Sequence, residues 1–351
     1  MTKKTTVLVI DDSALVRELL REIIPADGDL EVVDTAPDPY VAREKIKKLN
    51  PDVLTLDVEM PRMDGITFLH NLMRLRPMPV VMISALTEKG ASQTLQALEM
   101  GASDFITKPR SNLSEDLEQY GEEIREKIRV AAKSNLRGAI SAQGEAALHE
   151  PLSNIINPNN WIIGIGASAG GTEAIHAVLS RMPVNTPGIV VCQHMPVLFT
   201  GMFASRLNAE SPLTVSIARD GDVILPGCVY VAPGDKHLRI VRRGTGFFCR
   251  LDDDGPEINR HKPAVDALFH SLALEAGKQA IGVILTGMGR DGAEGLLAMH
   301  NQGAVTIAQD EASSLIWGMP GEAVKLNAVD QVESLENIPE AIIAQMGDTP
   351  N

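Results

Sequence analysis

One hydroxyl stands among small residues in the stretch Trp161 to Gly171, which has the sequence W-I-I-G-I-G-A-S-A-G-G. The hydroxyl belongs to Ser168, which follows an apolar run typical of a buried parallel strand and precedes a helical pattern. The small neighbours let a substrate approach the backbone, and the free N–H groups at a helix start can stabilise a developing oxyanion. The stretch therefore indicates a serine placed for nucleophilic chemistry on a strand-to-helix turn.

Two other interpretations of this stretch compete with nucleophilic chemistry. The residues from Gly164 to Ala169 fit the dinucleotide-binding pattern G-x-G-x-x-A. That pattern needs an acidic residue at the end of the next strand, where it binds a ribose hydroxyl. The next strand, Gly188 to Cys192, ends in Gln193 and His194 instead, which disfavours a nucleotide. A glycine-rich turn around a buried serine without any chemistry stays compatible with this stretch alone.

A histidine and an aspartate occupy positions comparable to that of Ser168. His194 follows its own strand, and Asp291 follows the strand Ala280 to Leu285 in the segment T-G-M-G-R-D-G. Open parallel sheets place their sites at the carboxyl ends of strands. A serine hydroxyl needs a base, imidazole is the usual one, and a carboxylate orients it. The three residues therefore predict a nucleophile, a general base and an orienting acid, although His194 could be structural and Asp291 could cap the next helix.

Charged and hydroxyl side chains also end the strands predicted in the first third of the chain; they are Asp11, Asp12, Asp57, Ser84 and Lys108. Three carboxylates in one cleft repel each other, so we expect a cation there, and an all-oxygen site suits Mg²⁺. Asp57 is the candidate nucleophile toward a phosphoryl group, with Lys108 neutralising and Ser84 hydrogen-bonding the acyl phosphate. Alternatively, the aspartates form a solvated loop or cap and Lys108 is a surface cation.

Strands and helices alternate along both parts of the chain, which predicts an α/β protein with two doubly wound domains. The first has five parallel strands, and the second has a mostly parallel sheet. A charged amphipathic helix follows from Glu115 to Lys133, and then a stretch rich in Ala, Ser, Gly and Asn. We interpret the helix charges as a solvated face. The predicted divisions are a first domain over 1–122, a linker over 123–157 and a second domain over 158–349.

Composition limits the possible classes of protein. The 351 residues suffice for two domains, and 44% hydrophobic with 22% charged residues is a soluble globular balance. The net charge of -14 argues against nucleic acid or an anionic membrane as partner. No apolar stretch approaches the length of a membrane span, and no signal peptide is indicated. The three cysteines, Cys192, Cys228 and Cys249, lack metal or disulfide spacing, so a reduced cytoplasm is expected.

The first domain resembles a two-component receiver domain over essentially its whole length, through the motifs V-I-D-D-S, L-D-V-E-M-P-x-M-D-G, S-A and T-K-P. The resemblance implies a flavodoxin-like fold in which Asp57 takes phosphate from a chemotaxis histidine kinase. It implies Mg²⁺ bound by Asp11, Asp12 and Asp57 and by the backbone near Glu59. It also implies a switch, formed by Ser84, Lys108 and the aromatic residue Phe105.

The second domain resembles the CheB-type chemotaxis methylesterases, through the motifs G-I-G-A-S-A-G-G, C-Q-H-M-P, F-A-S-R-L, Y-V-A-P-G-D-K-H-L, H-K-P-A-V-D-A-L-F, L-T-G-M-G-R-D-G and I-W-G-M-P. The resemblance implies that Ser168 is the nucleophile, His194 the general base and Asp291 its orienting carboxylate, with the backbone of Met288 at the oxyanion hole. The implied substrate is the methylated cytoplasmic helix of a chemoreceptor, whose glutamate methyl esters are hydrolysed to release methanol. Deamidation of receptor glutamines is a further expected activity.

The same resemblance implies regulation by the first domain. The unphosphorylated receiver is expected to cover the catalytic cleft, and phosphorylation of Asp57 is expected to release it. Ester hydrolysis is expected to need no cofactor, and neither nucleic acid binding nor membrane insertion is expected. Two other hypotheses are a switched binding module with an inactive enzyme domain and a transcriptional regulator. A regulator would need a basic helix-turn-helix output, which this acidic α/β chain does not offer.

Overall fold

The structure, a computed structural model, describes residues 3–85, 87–108, 113–136 and 161–347, together with residues 138, 141 and 152. The chain forms two compact units, residues 1–137 and residues 138–351. Most of the predicted linker beyond residue 136 lies outside the described residues. None of the helices in the described ranges is both long enough and apolar enough to cross a membrane.

The first unit alternates strands with helices. Its elements are β1 (Thr5–Ile10), α1 (Ala14–Ile23), β2 (Leu30–Ala36), α2 (Pro39–Leu49), β3 (Val53–Asp57), α3 (Gly65–Leu75), β4 (Val80–Ser84), α4 (Glu88–Glu99), β5 (Asp104–Thr107) and α5 (Leu113–Ala132), with a short 3₁₀ turn at Ile24–Asp27. The strands form one parallel sheet in the order β2-β1-β3-β4-β5. This is the doubly wound order of flavodoxin-like folds, so the fold predicted for this part is confirmed.

Polar residues just before the helices set where these helices begin. The side chain of Ser13 accepts from the Val16 N–H at the start of α1, and Asp38 and Asp64 cap α2 and α3 in the same way. Each cap directly follows a strand or its loop, which keeps the connections short. The polar ends of the strands consequently collect at one edge of the sheet.

Helix α5 belongs to the core of the first unit. Its residues Ile124, Ile128 and Ala131 are buried in one cluster with Val7 and Val9 of β1. Burial of these side chains stabilises the unit through the hydrophobic effect. The range predicted as linker, 123–157, thus begins inside a packed helix, and its residues as far as Ala132 are part of the first unit.

The second unit contains a larger sheet and a separate hairpin. Its elements are β6 (Ile162–Ala167), α6 (Gly171–Arg181), β7 (Gly188–Gln193), α7 (Val197–Glu210), β8 (Thr214–Ile217), β9 (Cys228–Val231), β10 (His237–Arg243), β11 (Gly246–Asp252), α8 (Val265–Glu275), β12 (Ala280–Ile284), α9 (Ala293–Asn301), β13 (Val305–Gln309), α10 (Met319–Lys325), β14 (Gln331–Glu333) and α11 (Ile338–Gly347). Seven strands form a parallel sheet in the order β14-β13-β12-β6-β7-β9-β8. The antiparallel hairpin β10-β11 stands apart from it. A second α/β unit with a mostly parallel sheet was predicted and is confirmed.

Strand β6 lies in the middle of this sheet between β12 and β7. Its residue Ala167 pairs with Gln193 of β7, and Gly166 pairs with Ile284 of β12. The three strands therefore end side by side. Because Ser168 and His194 are the next residues of neighbouring strands, their backbones leave the sheet together.

The glycines of β6 are explained by helix packing. A Cβ atom on Gly164 would lie 2.3 Å from Leu272 Cδ1, and one on Gly166 would lie 2.2 Å from Val265 Cγ1. Both partners belong to α8, which packs directly onto the strand. The G-x-G part of the dinucleotide pattern thus serves close packing. Pro263 precedes Ala264, the N-cap residue of this helix.

Candidate functional site

Ser168 occupies a tight turn between β6 and α6. Its N–H donates to the Thr286 carbonyl at 3.1 Å, and its carbonyl accepts from Gly171 N at 2.7 Å. Gly170 follows with φ of 74°, and a Cβ atom there would lie 2.8 Å from Leu315 Cβ. The turn can therefore be this tight only with glycine at position 170. The predicted strand-to-helix placement of Ser168 agrees with this geometry.

Two backbone N–H groups, of the residue after Ser168 and of the residue after Gly287, have no acceptor among the described residues. In the described part of the chain, neither the Ala169 N–H nor the Met288 N–H has an intramolecular acceptor. The segment around Met288 is held by Gly287, whose N–H donates to Ile316 O at 3.0 Å and whose carbonyl accepts from Met319 N at 2.9 Å. Two preorganised donors beside a hydroxyl are the usual means of stabilising a tetrahedral oxyanion.

His194 and Asp291 form a buried pair in the second unit. The Nε2 atom of His194 lies 2.8 Å from Asp291 Oδ2, and the two side chains are 8% and 1% exposed. The peptide N–H of His194 donates to Ala167 O at 3.2 Å, which ties the end of β7 to the end of β6. The prediction that these residues come together from distant positions agrees with this arrangement.

Asp291 is held by four donors. Its Oδ2 accepts from His194 Nε2 and from Val265 N at 2.6 Å, and its Oδ1 accepts from Asn259 Nδ2 at 2.9 Å and Asp266 N at 3.2 Å. Burial by itself would raise the pKa of this carboxyl. The hydrogen bond and charge of His194, together with the Asn259 and Val265 donors, hold the pKa of Asp291 well below its usual value. The group is therefore a carboxylate, and it can only accept.

The remaining ring nitrogen of His194 has no hydrogen-bond partner among the residues that the structure describes. Nδ1 is buried and, among the described residues, has no hydrogen bond. A buried polar atom without a partner requires an explanation. Since the Asp291 carboxylate fixes the proton of the neutral ring on Nε2, Nδ1 carries the lone pair. This atom can therefore accept a proton.

Three contacting residues were not singled out from the sequence. Gln193 donates from Nε2 to Ser168 O at 2.9 Å and to His194 O at 3.2 Å, and so joins the two strand ends. Asn259 binds Asp291, and the His261 ring stacks on the His194 ring. His261 belongs to the motif H-K-P-A-V-D-A-L-F, which was the available signal for its presence near the site.

A thiol mechanism finds no support. Cys192 is fully buried within β7. Burial raises the pKa of its thiol well above the usual value, and the nearby carboxylates of Asp291 and Asp266 add to the effect. A buried, protonated thiol is inert, so this cysteine is structural.

The first unit carries an acidic cluster at the carboxyl edge of its sheet. Ligand atoms of Asp11, Asp12 and Asp57 all lie within 4.8 Å of one another; Asp11 and Asp57 are buried and Asp12 is exposed. Lys108 Nζ lies 3.0 Å from Asp11 Oδ2 and 2.8 Å from Asp57 Oδ2. The Asp11 oxygen is buried and makes no well-formed hydrogen bond in the described part of the chain. Oxygen ligands at this spacing suit a hard divalent cation.

Asp57 has a higher pKa than an ordinary aspartate. Burial raises its pKa to about 6, against the opposing hydrogen bond from Lys108, and the charge of Asp11 contributes to the rise. Its Oδ1 accepts from the Glu59 N–H at 3.3 Å. A cation bound in this cluster would favour the ionised form of Asp57.

Ser84 and Phe105 lie on the neighbouring strands β4 and β5. The Ser84 hydroxyl is buried and donates to Gly90 O of α4 at 3.2 Å. Phe105 is 7% exposed. Lys127 of α5 lies with Nζ 5.1 Å from the centre of the Phe105 ring and donates to Phe105 O at 2.5 Å. Two of the three residues predicted to form the switch thus each contact a helix of the unit, α4 for Ser84 and α5 for Phe105.

Comparison with known proteins assigns both units to families. A family model described as CheB methylesterase matches residues 163–342, and a model described as response regulator receiver domain matches residues 7–118. The chain is similar to a protein of Xanthomonas campestris pv. campestris named protein-glutamate methylesterase/protein-glutamine glutaminase 1, with 54% identity over 98% of each chain. It is similar to a Bordetella parapertussis protein named protein-glutamate methylesterase/protein-glutamine glutaminase, with 55% identity over 99% of this chain and 98% of that protein.

The second unit is also similar to a solved structure. The crystal structure of the Thermotoga maritima CheB methylesterase catalytic domain matches with a TM-score of 0.52 and 38% sequence identity. The match covers 53% of this chain and 98% of that one. Sequence and fold therefore indicate the same family.

Proposed function

The chain belongs to the CheB methylesterase family and carries a receiver domain, and from this premise we propose that it is a phosphorylation-activated protein-glutamate methylesterase. The substrates are γ-glutamyl methyl esters on the cytoplasmic helices of chemoreceptors, and the products are glutamate and methanol. The reaction takes place in the cytoplasm. The observation that carries this proposal is the buried His194–Asp291 pair at the strand ends from which Ser168 also emerges.

In the first half-reaction, the Ser168 hydroxyl attacks the ester carbonyl and its proton passes to His194. Nδ1 is the accepting atom, because Asp291 engages Nε2. This assignment is the reverse of the usual serine triad, in which the carboxylate faces Nδ1. Asp291 stabilises the imidazolium that forms, and its four donors prevent it from taking the proton itself.

The tetrahedral intermediate places negative charge on the former carbonyl oxygen. We assign its stabilisation to the N–H groups of Met288 and Ala169, supported by the start of α6. Collapse of the intermediate breaks the bond to methanol, which leaves with the proton held by His194. An acyl-enzyme on Ser168 remains.

In the second half-reaction, water gives a proton to His194 and attacks the acyl-enzyme. The serine leaves with that proton, and glutamate is released. A glutamine side chain passes through the same acyl-enzyme and releases ammonia. Deamidation therefore needs no additional residues, and we propose that the chain has this activity too. Ester hydrolysis uses side chains and backbone alone.

Regulation acts through the receiver domain. Asp57 is the proposed phosphoacceptor, and a chemotaxis histidine kinase is the proposed donor. Asp11, Asp12 and Asp57 would hold Mg²⁺, which when bound neutralises phosphoryl charge during transfer. Lys108 pairs with the phosphoryl group, Ser84 turns its hydroxyl from Gly90 O toward it, and Phe105 responds as the switch aromatic. The phosphorylated receiver then gives a bulky receptor helix access to Ser168.

The test measures methanol release from membranes that carry methylated receptors, with and without acetyl phosphate and Mg²⁺. The variant S168A should lose methanol release by at least about 10³-fold while its thermal unfolding is unchanged. The matched control is S205A, on the exposed face of α7, whose hydroxyl donates to Gly201 O at 2.9 Å. S205A should keep the wild-type rate. Receptor binding without turnover by the wild type would instead identify a switched binding module.

A further inference from the structure

The turn from Ile258 to His261 lies against the His194–Asp291 pair. We propose that Asn259 and His261, both in this turn, are positioning residues: Asn259 orients the Asp291 carboxylate and His261 fixes the plane of the His194 ring. The inference rests on the proposed esterase function and deepens it. Asn259 contacts Asp291 and His261 contacts His194, so each acts through a member of the pair.

The turn has a defined and unusual backbone. Ile258 N donates to His261 O at 3.1 Å and His261 N donates to Ile258 O at 2.9 Å. The two residues between them, Asn259 and Arg260, have φ of 53° and 66°. Such two-residue turns need positive φ at both central positions, which asparagine tolerates better than most residues. Strained positive-φ backbone of this kind is concentrated at functional sites.

Asn259 bridges two buried carboxylates with one amide group. Its Nδ2 donates to Asp266 Oδ2 at 2.7 Å and to Asp291 Oδ1 at 2.9 Å. Burial raises the pKa of Asp266, and the neighbouring charge of Asp291 contributes to the rise. Gly295 N anchors the other Asp266 oxygen at 2.7 Å. The amide therefore relieves repulsion between the carboxylates and holds Oδ2 of Asp291 toward His194.

His261 packs against the other member of the pair, His194. Its ring centre lies 3.7 Å from that of His194, and the two ring planes differ by 16°. The Asp291 contact fixes one ring atom, Nε2, but leaves the ring free to tilt about that point. A parallel ring in van der Waals contact removes this freedom. Together the two contacts fix where Nδ1 points.

Both contacts affect the chemical step more than substrate binding. General-base catalysis depends on the distance and angle between base and hydroxyl, and a misplacement of about 1 Å can cost about 10²-fold. A substrate helix does not need the position of Nδ1 in order to bind. Loss of positioning should therefore lower kcat and leave KM nearly constant.

The experiment uses full-length protein activated by acetyl phosphate and Mg²⁺, with methylated receptor membranes as substrate. H261A should lower kcat about tenfold, and H261F, which keeps a flat ring, should recover most of the loss. N259G accepts the positive φ and removes only the amide, so it should lower kcat about tenfold. N259D keeps the turn but sets a third carboxylate against the other two, so it should be slower than N259G. E257A, at an exposed position just before the turn, is the control and should match the wild type.

The outcomes separate the two proposals. Wild-type activity no higher than that of S168A overturns the esterase function, and the positioning roles with it. If the wild type is active and H261A and N259G have the same kcat as the wild type, the positioning roles are overturned and the esterase function stands. Equal loss in H261A and H261F also contradicts ring stacking. A ¹⁵N spectrum of histidine-labelled protein provides a readout besides activity: H261A should change the two ring nitrogen signals of His194, whereas E257A should not. Unchanged His194 signals in H261A contradict the role of His261.

Discussion

Asp291 caps the helix that begins at Val265 with the same carboxylate that binds His194. The oxygen that accepts from His194 Nε2 at 2.8 Å also accepts from Val265 N at 2.6 Å. The sequence left open that Asp291 caps the helix after it, but that helix has Gly292 as its N-cap residue without a side-chain bond. The carboxylate instead caps an earlier helix, and so one side chain serves both fold and site.

Replacing this carboxylate should therefore damage activity and stability together. In D291N an amide hydrogen would face donors at a site that offers no acceptor. We expect kcat to fall by about 10³- to 10⁴-fold and the free energy of unfolding to fall by about 1–3 kcal/mol. Methanol release and urea unfolding of the full chain measure the two effects. A variant as stable as the wild type would show that the cap contributes nothing.

The stability difference should depend on pH in one direction. Because the pKa of Asp291 is lower in the folded protein than in the unfolded chain, the ionised carboxyl stabilises the fold. This contribution is complete above about pH 4, the range of an unperturbed aspartate, and is lost as the pH falls below it. The difference between wild type and D291N should therefore shrink on acidification. A difference that grows below pH 4 would contradict the assignment.

Gly287 should be intolerant of any side chain. A Cβ atom there would lie 2.3 Å from Met319 Sδ, 2.9 Å from Ser168 Cβ and 3.0 Å from Ser168 N. G287A should cost about 1–3 kcal/mol of stability and lower kcat at least about tenfold, because the serine turn must move. G201A, within helix α7, is the control. The nearest described atom to its new Cβ is Ile217 Cδ1, at an ordinary contact distance of 3.8 Å. That variant should be active and more stable by about 0.5–1 kcal/mol.

The raised pKa of Asp57 makes a prediction about the receiver. The pKa of Asp57 is about 6 in the folded protein and 3.8 in the unfolded reference. As the pH rises from 3.8 to about 6, ionisation of this group therefore destabilises the fold progressively. D57N removes the charge, so it should stabilise the first unit by about 1–2 kcal/mol at pH 7.5 and by almost nothing at pH 4. Differential scanning calorimetry of the full chain measures the unfolding of the first unit. Mg²⁺ should stabilise the wild type and not D57N; equal stabilisation of both would contradict the acidic site.

Lys127 should contribute more to stability than its place in a charged helix suggested. Its Nζ lies 3.1 Å from Glu123, 3.4 Å from Asp104 and 2.5 Å from Phe105 O. K127M leaves a carboxylate and a carbonyl without their donor. It should lower the free energy of unfolding of the first unit by about 1–3 kcal/mol. K47M removes a comparable but exposed pair with Glu44 and should cost under about 0.5 kcal/mol. Equal effects of the two variants would rule out a special role for Lys127.

The strands were predictable because their apolar runs are short and bounded by polar or small residues. The strands Thr5–Ile10 and Ile162–Ala167 are runs of this kind. Parallel topology then puts the strand ends at one edge, which is why Ser168 and His194 could be paired without coordinates. The charged face of α5 was misjudged at Lys127, because its partners Asp104 and Phe105 come from another element.

The supporting residues of the site could not be predicted for a similar reason. Asn259 and His261 lie on a short turn whose sequence shows no strand or helix period, and their roles exist only once the turn packs against Asp291 and His194. The helix capped by Asp291 begins 26 residues earlier in the chain. Local patterns report on neighbours in sequence, and these contacts are between elements that are distant in sequence.

The double duty of Asp291 has a consequence for how this site could decay. If a descendant of this chain lost its substrate, Ser168 could be replaced at little cost to folding, whereas replacement of Asp291 would loosen the helix that covers β6. The serine should therefore disappear first and the aspartate persist. In a distant relative, an aspartate at this position therefore indicates only that the fold is conserved. The serine is the residue that distinguishes an active hydrolase from an inactive one.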